Sequence, residues 1–114
     1  MTRDISVIEL AEKLNSSDPF VILDVREAWE LRFARLTDPR LARGPMTELS
    51  AQGLAALPEA AQRRDAEIYV LCHAGVRSAQ VTQWLSSLGW THVYNVTGGI
   101  DEYAEKIDRS VGMY

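Results

Sequence analysis

Cysteine and histidine are scarce in this 114-residue chain: there is one cysteine, Cys72, and there are two histidines, His73 and His92. A lone cysteine closes no internal disulfide, and so few dispersed ligands build no zinc site of the cysteine-rich kind. A reducing, cytoplasmic compartment is the matching expectation. No apolar run approaches the ~18–20 residues a membrane span needs. The opening residues, MTRDISVIEL, include Asp4 and lack the apolar stretch of a secretory leader. A basic excess is missing as well. Twelve Lys and Arg against sixteen Asp and Glu give a formal charge of −4, a poor basis for nucleic-acid binding, which needs a positive face. Repeats, low-complexity tracts and linkers are also absent. What remains, 46% hydrophobic and 25% charged residues, suits one globular domain over residues 1–114 and excludes disordered, collagen-like and coiled-coil chains.

The pattern along the chain alternates helix and strand. Ser6 can cap a helix whose Val7, Leu10, Ala11 and Leu14 share one face. Asn15 to Pro19 breaks it. Phe20–Leu23 and Ile68–Leu71 are short, continuously apolar runs, as in strands covered on both sides, and Val93–Val96 is a third strand. Trp29, Phe33 and Leu36, spaced i, i+4, i+7, suggest a short helix. Residues 37–45 read as loop, with a short strand at Leu41 and Ala42. Residues 47–57 read as helix despite Gly53. Val81, Trp84, Leu85 and Leu88 mark a helix closed by Gly89, and Gly98-Gly99 opens a last helix reaching about Lys106. Strands separated by helices imply parallel pairing, hence an α/β fold with an open, mainly parallel sheet and helices on both faces. Ligands of such sheets bind beyond the carboxyl ends of the strands. Asp24, Cys72 and Gly98 each follow a strand there.

The cysteine loop, Cys72-His73-Ala74-Gly75-Val76-Arg77-Ser78, joins a strand to a helix. If the chain curls tightly there, successive N–H groups of His73, Ala74, Gly75 and Val76 form an anion-binding nest, and the helix adds its positive end. Gly75 permits a backbone angle that a side chain obstructs. Arg77 supplies a cation. Such a field favours the thiolate, the reactive form of cysteine, and would equally hold a persulfide. The plain alternative is a small core cysteine at a strand end; a Gly, an Arg, a Ser and a helix start within six residues weigh against it.

These residues resemble the active-site loop of the rhodanese-like sulfurtransferases. Leu23-Asp24-Val25-Arg26-Glu27 is similar to that family's early strand-end motif and Asn95-Val96-Thr97-Gly98-Gly99-Ile100 to its late one. The ending, from Lys106 to Tyr114, is similar to the tail of small bacterial rhodaneses and of the rhodanese domain fused to sulfur-carrier adenylyltransferases. The resemblance implies that Cys72 is the nucleophile and persulfide carrier and Arg77 its anion-stabilising partner. His73, Ala74, Gly75, Val76 and Ser78 would form the cradle, supported by Asp24, Arg26, Gly98 and Gly99. A buried Asp24–Arg26 ion pair is the preferred reading of those two residues. Arg77 stands five positions after Cys72, leaving four residues between. The resemblance implies that this shorter loop suits sulfane sulfur, whereas related phosphatases and arsenate reductases use a longer one. Residues 35–46 depart from the family's Gly-His-Ile-Pro-Gly-Ala-like segment, keeping only Pro45-Met46.

The expected activity is therefore transfer of a sulfane sulfur through a Cys72 persulfide. The donor would be thiosulfate or a protein persulfide, and the acceptor a thiol, cyanide or a sulfur-carrier protein. The rival is a non-enzymatic docking module; a phosphatase or arsenate reductase is less favoured. No metal, organic cofactor, nucleic acid or membrane is expected as partner. His92 is read as structural, and Trp29, Trp84 and Trp90 as core and rim packing.

Overall fold

Strands built from unbroken apolar runs need cover on both faces, and the chain supplies it. The computed structural model describes residues 3–114. Strands β1 (Asp4–Ile5), β2 (Val21–Asp24), β3 (Leu41–Arg43), β4 (Ile68–Leu71) and β5 (Val93–Val96) form one sheet in the order β1-β5-β4-β2-β3. Every pairing is parallel, with Leu23 beside Val70 and Ala42, and Val70 beside Asn95. Helices α1 (Val7–Leu14), α2 (Met46–Gln52), α3 (Val76–Ser87) and α4 (Gly99–Lys106) cover it. Alternation along the strands sends Leu23 and Val70 to a core shared with Leu49, Val81, Leu85 and Trp90. Ile22 and Leu71 go to the opposite core, with Leu10, Ile100 and Tyr103. The sheet thus has helices on both faces, as the alternation of elements implies.

Local signals set several boundaries. Ser6 and Glu9 form a reciprocal capping box at the start of α1, each side chain accepting the other's backbone N–H at 3.1 Å. Gly89, at φ +103°, follows the last turn of α3. The atypical segment 37–45 does carry a strand, β3. It is anchored by Arg40, which pairs with Asp38 at 2.9 Å and donates to the carbonyls of Leu14, Ser16 and Asp18.

Three expectations need correction. Residues 28–32 form a 3-10 turn, not an α-helix. At three residues per turn the i, i+4, i+7 spacing no longer defines a face. Trp29 and Phe33 consequently stand 58% and 55% exposed, while Glu30 is buried. The helix read over 47–57 ends at Gln52, where Gly53 takes φ +63° and a 3-10 turn follows. Of the three tryptophans read as core and rim packing, Trp90 is in the core, donating Nε1–H to the Ala61 carbonyl at 2.9 Å, and Trp84 packs half-buried at the rim, but Trp29 stands outside both cores. β1, only two residues long, carries too little pattern to be read from the sequence. Among the described residues no helix is long and apolar enough to cross a membrane.

Candidate active site

Because β2, β4 and β5 run parallel, Asp24, Cys72 and Thr97 leave the sheet at the same edge. Cys72 follows β4 directly, and the chain turns into α3 through Gly75 at φ +99°, in the left-handed region that favours glycine. The turn is pressed against the β5–α4 connection: a β-carbon on Gly75 would sit 3.0 Å from the Gly98 nitrogen. At Gly99 (φ +61°) a β-carbon would be driven into the carbonyl oxygens of Cys72 and His73. Those carbonyls accept the first N–H groups of α4, Ile100 N–H to Cys72 and Asp101 N–H to His73, both at 3.0 Å. The glycine pair therefore lets one helix start hold the loop's carbonyls, and the loop's amides are left to converge on the sulfur.

They do converge. The backbone N–H groups of Gly75 and Ser78 donate to Cys72 Sγ at 3.1 and 3.4 Å, and Ser78 Oγ lies 3.2 Å from it. The N–H groups of Val76 and Arg77, at the start of α3, have no carbonyl partner among the described residues. The thiol itself is covered, with Cys72 1% exposed and packed in the core beside Val70 and Val81. The polarity behind it is set from β1. The Asp4 carboxylate only accepts, so Asn95 turns its amide nitrogen to it at 3.4 Å and its carbonyl oxygen to Ser78. Ser78 then donates to Asn95 and presents a lone pair to the sulfur.

Arg77 does not stand beside the loop as an unpaired cation. Its guanidinium makes a two-pronged ion pair with Glu30, at 2.7 Å on both prongs. Glu30 is 2% exposed. It also accepts the backbone N–H of Glu27 at 2.8 Å and the hydroxyl of Tyr114 at 2.7 Å. The Arg77 pairing chiefly, helped by these donors and opposed by burial, holds the Glu30 carboxyl at about 2. Arg77 is correspondingly raised, mainly by its bond to Glu30.

Asp24 and Arg26 form the expected buried pair, with both side chains fully inaccessible and bonds at 3.0 and 2.9 Å. Arg26 continues to the Ala34 carbonyl at 2.7 Å and to the Tyr114 hydroxyl at 3.3 Å. His73 stacks on the Tyr114 ring, with centroids 3.9 Å apart and planes at 10°. Its Nε2 has no hydrogen-bond partner among the described residues, and the Asp101 carboxylate lies 3.9 Å away. Ala74 and Val76 are exposed. Thus Cys72, His73, Gly75, Ser78, Gly98 and Gly99 form one contact network, to which Arg77, Asp24 and Arg26 are joined through Glu30 and Tyr114. His92 is elsewhere, bonded to the Thr91 hydroxyl at the start of β5. Sequence reasoning missed Glu30, Tyr114 and Asn95 as site residues. Asn95 lay inside a quoted motif, but nothing local marked Glu30, whose partner is 47 residues away. An open hollow lined by Glu27, Met46, Thr47, Ser50, Ala51 and Arg77 adjoins the site. Among the described residues no group of three His, Cys, Asp or Glu is placed to hold a metal ion.

Comparison with known proteins agrees with this geometry. The family model of the rhodanese-like domain matches residues 6–106. The chain is 36% identical over 117 residues to rhodanese-like/PpiC domain-containing protein 12 of Arabidopsis thaliana, an alignment covering 98% of this chain and 37% of that protein. It is 30% identical over 106 residues to the probable adenylyltransferase/sulfurtransferase MoeZ of Mycobacterium tuberculosis, covering 93% of this chain and 26% of that one. The chain therefore spans only between about a quarter and somewhat over a third of the length of these curated relatives. Among solved structures it is similar to the human single-domain sulfurtransferase TSTD1, with a TM-score of 0.70, 28% identity, and coverage of 93% of this chain and 98% of that one.

Proposed function

Because the chain belongs to the rhodanese-like domain family, we propose that it is a sulfurtransferase that carries a sulfane sulfur on Cys72. The observation that carries this reading is the convergence of the Gly75 and Ser78 amides on Sγ, with the neighbouring Val76 and Arg77 amides given no partner by the described residues. Two N–H groups on one sulfur stabilise a negative charge there, and the two unused donors next to them suit one further charged atom. The relatives named as sulfurtransferases support the same chemistry.

In the first half-reaction the Cys72 thiolate attacks the outer, sulfane sulfur of a donor such as thiosulfate. The donor's S–S bond breaks, sulfite leaves with the bonding pair, and the cysteine becomes a persulfide anion. In the second, an acceptor thiolate attacks the outer sulfur, the Cys72 S–S bond breaks, and the cysteine thiolate returns as the acceptor leaves as a persulfide. Arg77, neutralised by Glu30, acts in this scheme by fixing the start of α3. Gly98 and Gly99 hold the loop's carbonyls, and the Asp24–Arg26 pair fixes the neighbouring strand end. The lone thiol suits a reducing cytoplasmic setting.

The nearly complete cover over Cys72 favours a second reading, a docking module without turnover. Mass spectrometry after incubation with thiosulfate separates the two. A gain of one sulfur, about 32 Da, on Cys72 and its loss on adding dithiothreitol are expected for the enzyme. Cys72→Ser gains nothing. Unchanged mass in the wild-type protein refutes transfer.

A further inference from the structure

Seven large apolar side chains are exposed among the described residues, and three of them, Trp29, Phe33 and Val76, sit on the cysteine loop or on the ring cluster that touches it. Val76 belongs to the loop's own helix start. Trp29 and Phe33 meet edge to face at 6.2 Å, and both contact Tyr114, at 6.3 and 6.0 Å. Tyr114 lies flat on His73. The rings brace one another, so this apolar face is held in place before anything binds, which lowers the entropy lost on docking.

Three arginines without an ion-pair partner lie beside it. Arg32, Arg35 and Arg109 are exposed, and none has a carboxylate within ion-pairing distance among the described residues. Arg32 and Arg35 share a hollow with Phe33, Ser110 and Val111. Of the nearby acids Glu30 is neutralised by Arg77; Glu27 and Asp108 keep their charge but are turned to hydrogen-bond donors of this chain, the Thr47 hydroxyl at 2.7 Å and the N–H and hydroxyl of Ser110 at 3.0 and 2.6 Å, and Asp101 lies 3.9 Å from His73. In a chain of net charge −4, three arginines free of ion pairs among the described residues and lying beside exposed aromatic rings are a local concentration of positive charge, even with Asp108 in a hollow shared with Arg35. Aromatic residues and arginine are also the side chains that most often dominate the energetics of protein interfaces.

We propose that this face docks a protein that exchanges sulfur with Cys72, through a contact surface with acidic residues around an apolar side chain. The inference rests on the sulfurtransferase reading for what is exchanged, but the docking geometry stands apart from it. A lipid surface would also suit aromatic rings and arginines, yet seated here it would cover the loop that a sulfur donor must reach.

The test uses two synthetic peptides, each with one cysteine beside leucines, flanked by Asp and Glu in one and by Lys in the other. Binding of fluorescein-labelled peptide is followed by anisotropy, and sulfur transfer from thiosulfate is measured with each peptide and with dithiothreitol. The acidic peptide is expected to bind about tenfold more tightly than the Lys peptide; that preference is expected to vanish in Arg32→Glu/Arg35→Glu, whereas Trp29→Ala is expected to weaken binding of both peptides about tenfold and to keep the preference. Turnover with dithiothreitol stays within about twofold in all variants, which also reports that they fold. Equal binding of the two peptides, or a preference that survives the arginine reversal, overturns the proposal. So does binding of phosphatidylserine vesicles that displaces the acidic peptide. Selective, arginine-dependent binding with no sulfur transfer even to dithiothreitol upholds the docking face and refutes the sulfurtransferase reading.

Discussion

Replacing Glu30 by Gln removes the charge that Arg77 grips while keeping the side chain's shape. Its effect can be worked from the structure. The Glu30 carboxyl is drawn from an ordinary 4.5 to about 2, principally by Arg77. Each pKa unit corresponds to about 1.36 kcal/mol, so the folded state gains roughly 3 kcal/mol when Glu30 is ionised. The guanidinium side of the pair is 31% exposed, and solvent screening trims this to about 2–3 kcal/mol. The folded-state value is depressed, so the stabilisation is complete above the unfolded value of 4.5 and is lost as pH falls toward 2, with more than half gone by about pH 3. Glu30→Gln should therefore lower unfolding stability by about 2–3 kcal/mol at pH 7, or roughly 6–15 °C in Tm for a domain of this size. At about pH 2.5 the two proteins should differ by no more than about 1 kcal/mol. Urea titrations followed by circular dichroism at both pH values read this directly. A deficit as large at the acid pH as at pH 7, or below about 0.5 kcal/mol at pH 7, would show that the ion pair does not hold the start of α3.

Two further outcomes follow from the neighbouring geometry. Gly99→Ala puts a methyl group against the Cys72 and His73 carbonyls, whereas Gly53→Ala, at a similar φ of +63°, meets nothing within 4 Å. The second, at ψ −142°, should lose only the strain of a backbone region reserved for glycine, about 1–3 kcal/mol, while the first adds a clash with two backbone carbonyls, should lose more in thermal melts, and with it sulfur loading on Cys72. Asp24→Asn leaves the inaccessible Arg26 charge without its carboxylate and should destabilise by about 3–5 kcal/mol. The double variant Asp24→Leu/Arg26→Met should be the more stable of the two in urea unfolding, and the reverse order would contradict the desolvation argument.

The sequence discloses what is contiguous and hides what is brought together from afar. The run Ile68–Leu71, the cysteine loop and α3 are adjacent in the chain, so their order, the glycine turn and the inward amides follow from local chemistry. Strand β5 and the Gly98-Gly99 turn are similarly local. Glu30 is different: a glutamate after a tryptophan looks solvated until the backbone tightens from 3.6 to three residues per turn. That tightening turns Trp29 and Phe33 outward and Glu30 inward, and the sequence periodicity then points to the wrong face. Arg77 was legible as a site residue, but its partner was not, because no local pattern selects one carboxylate among sixteen Asp and Glu. The ring of Tyr114 over His73 likewise depends on the path of residues 107–113, where the Arg35 N–H pairs with the Val111 carbonyl at 2.8 Å.

The outermost strands are the shortest, with two residues in β1 and three in β3. A sheet bordered so sparingly offers almost no row of unsatisfied peptide groups onto which a neighbouring molecule could add a strand. Ribbon-to-ribbon growth, the usual route from a parallel sheet to fibrils, is therefore closed at both margins. Any association this protein makes has to be written in side chains, which can tell one visitor from another, and not in backbone, which cannot.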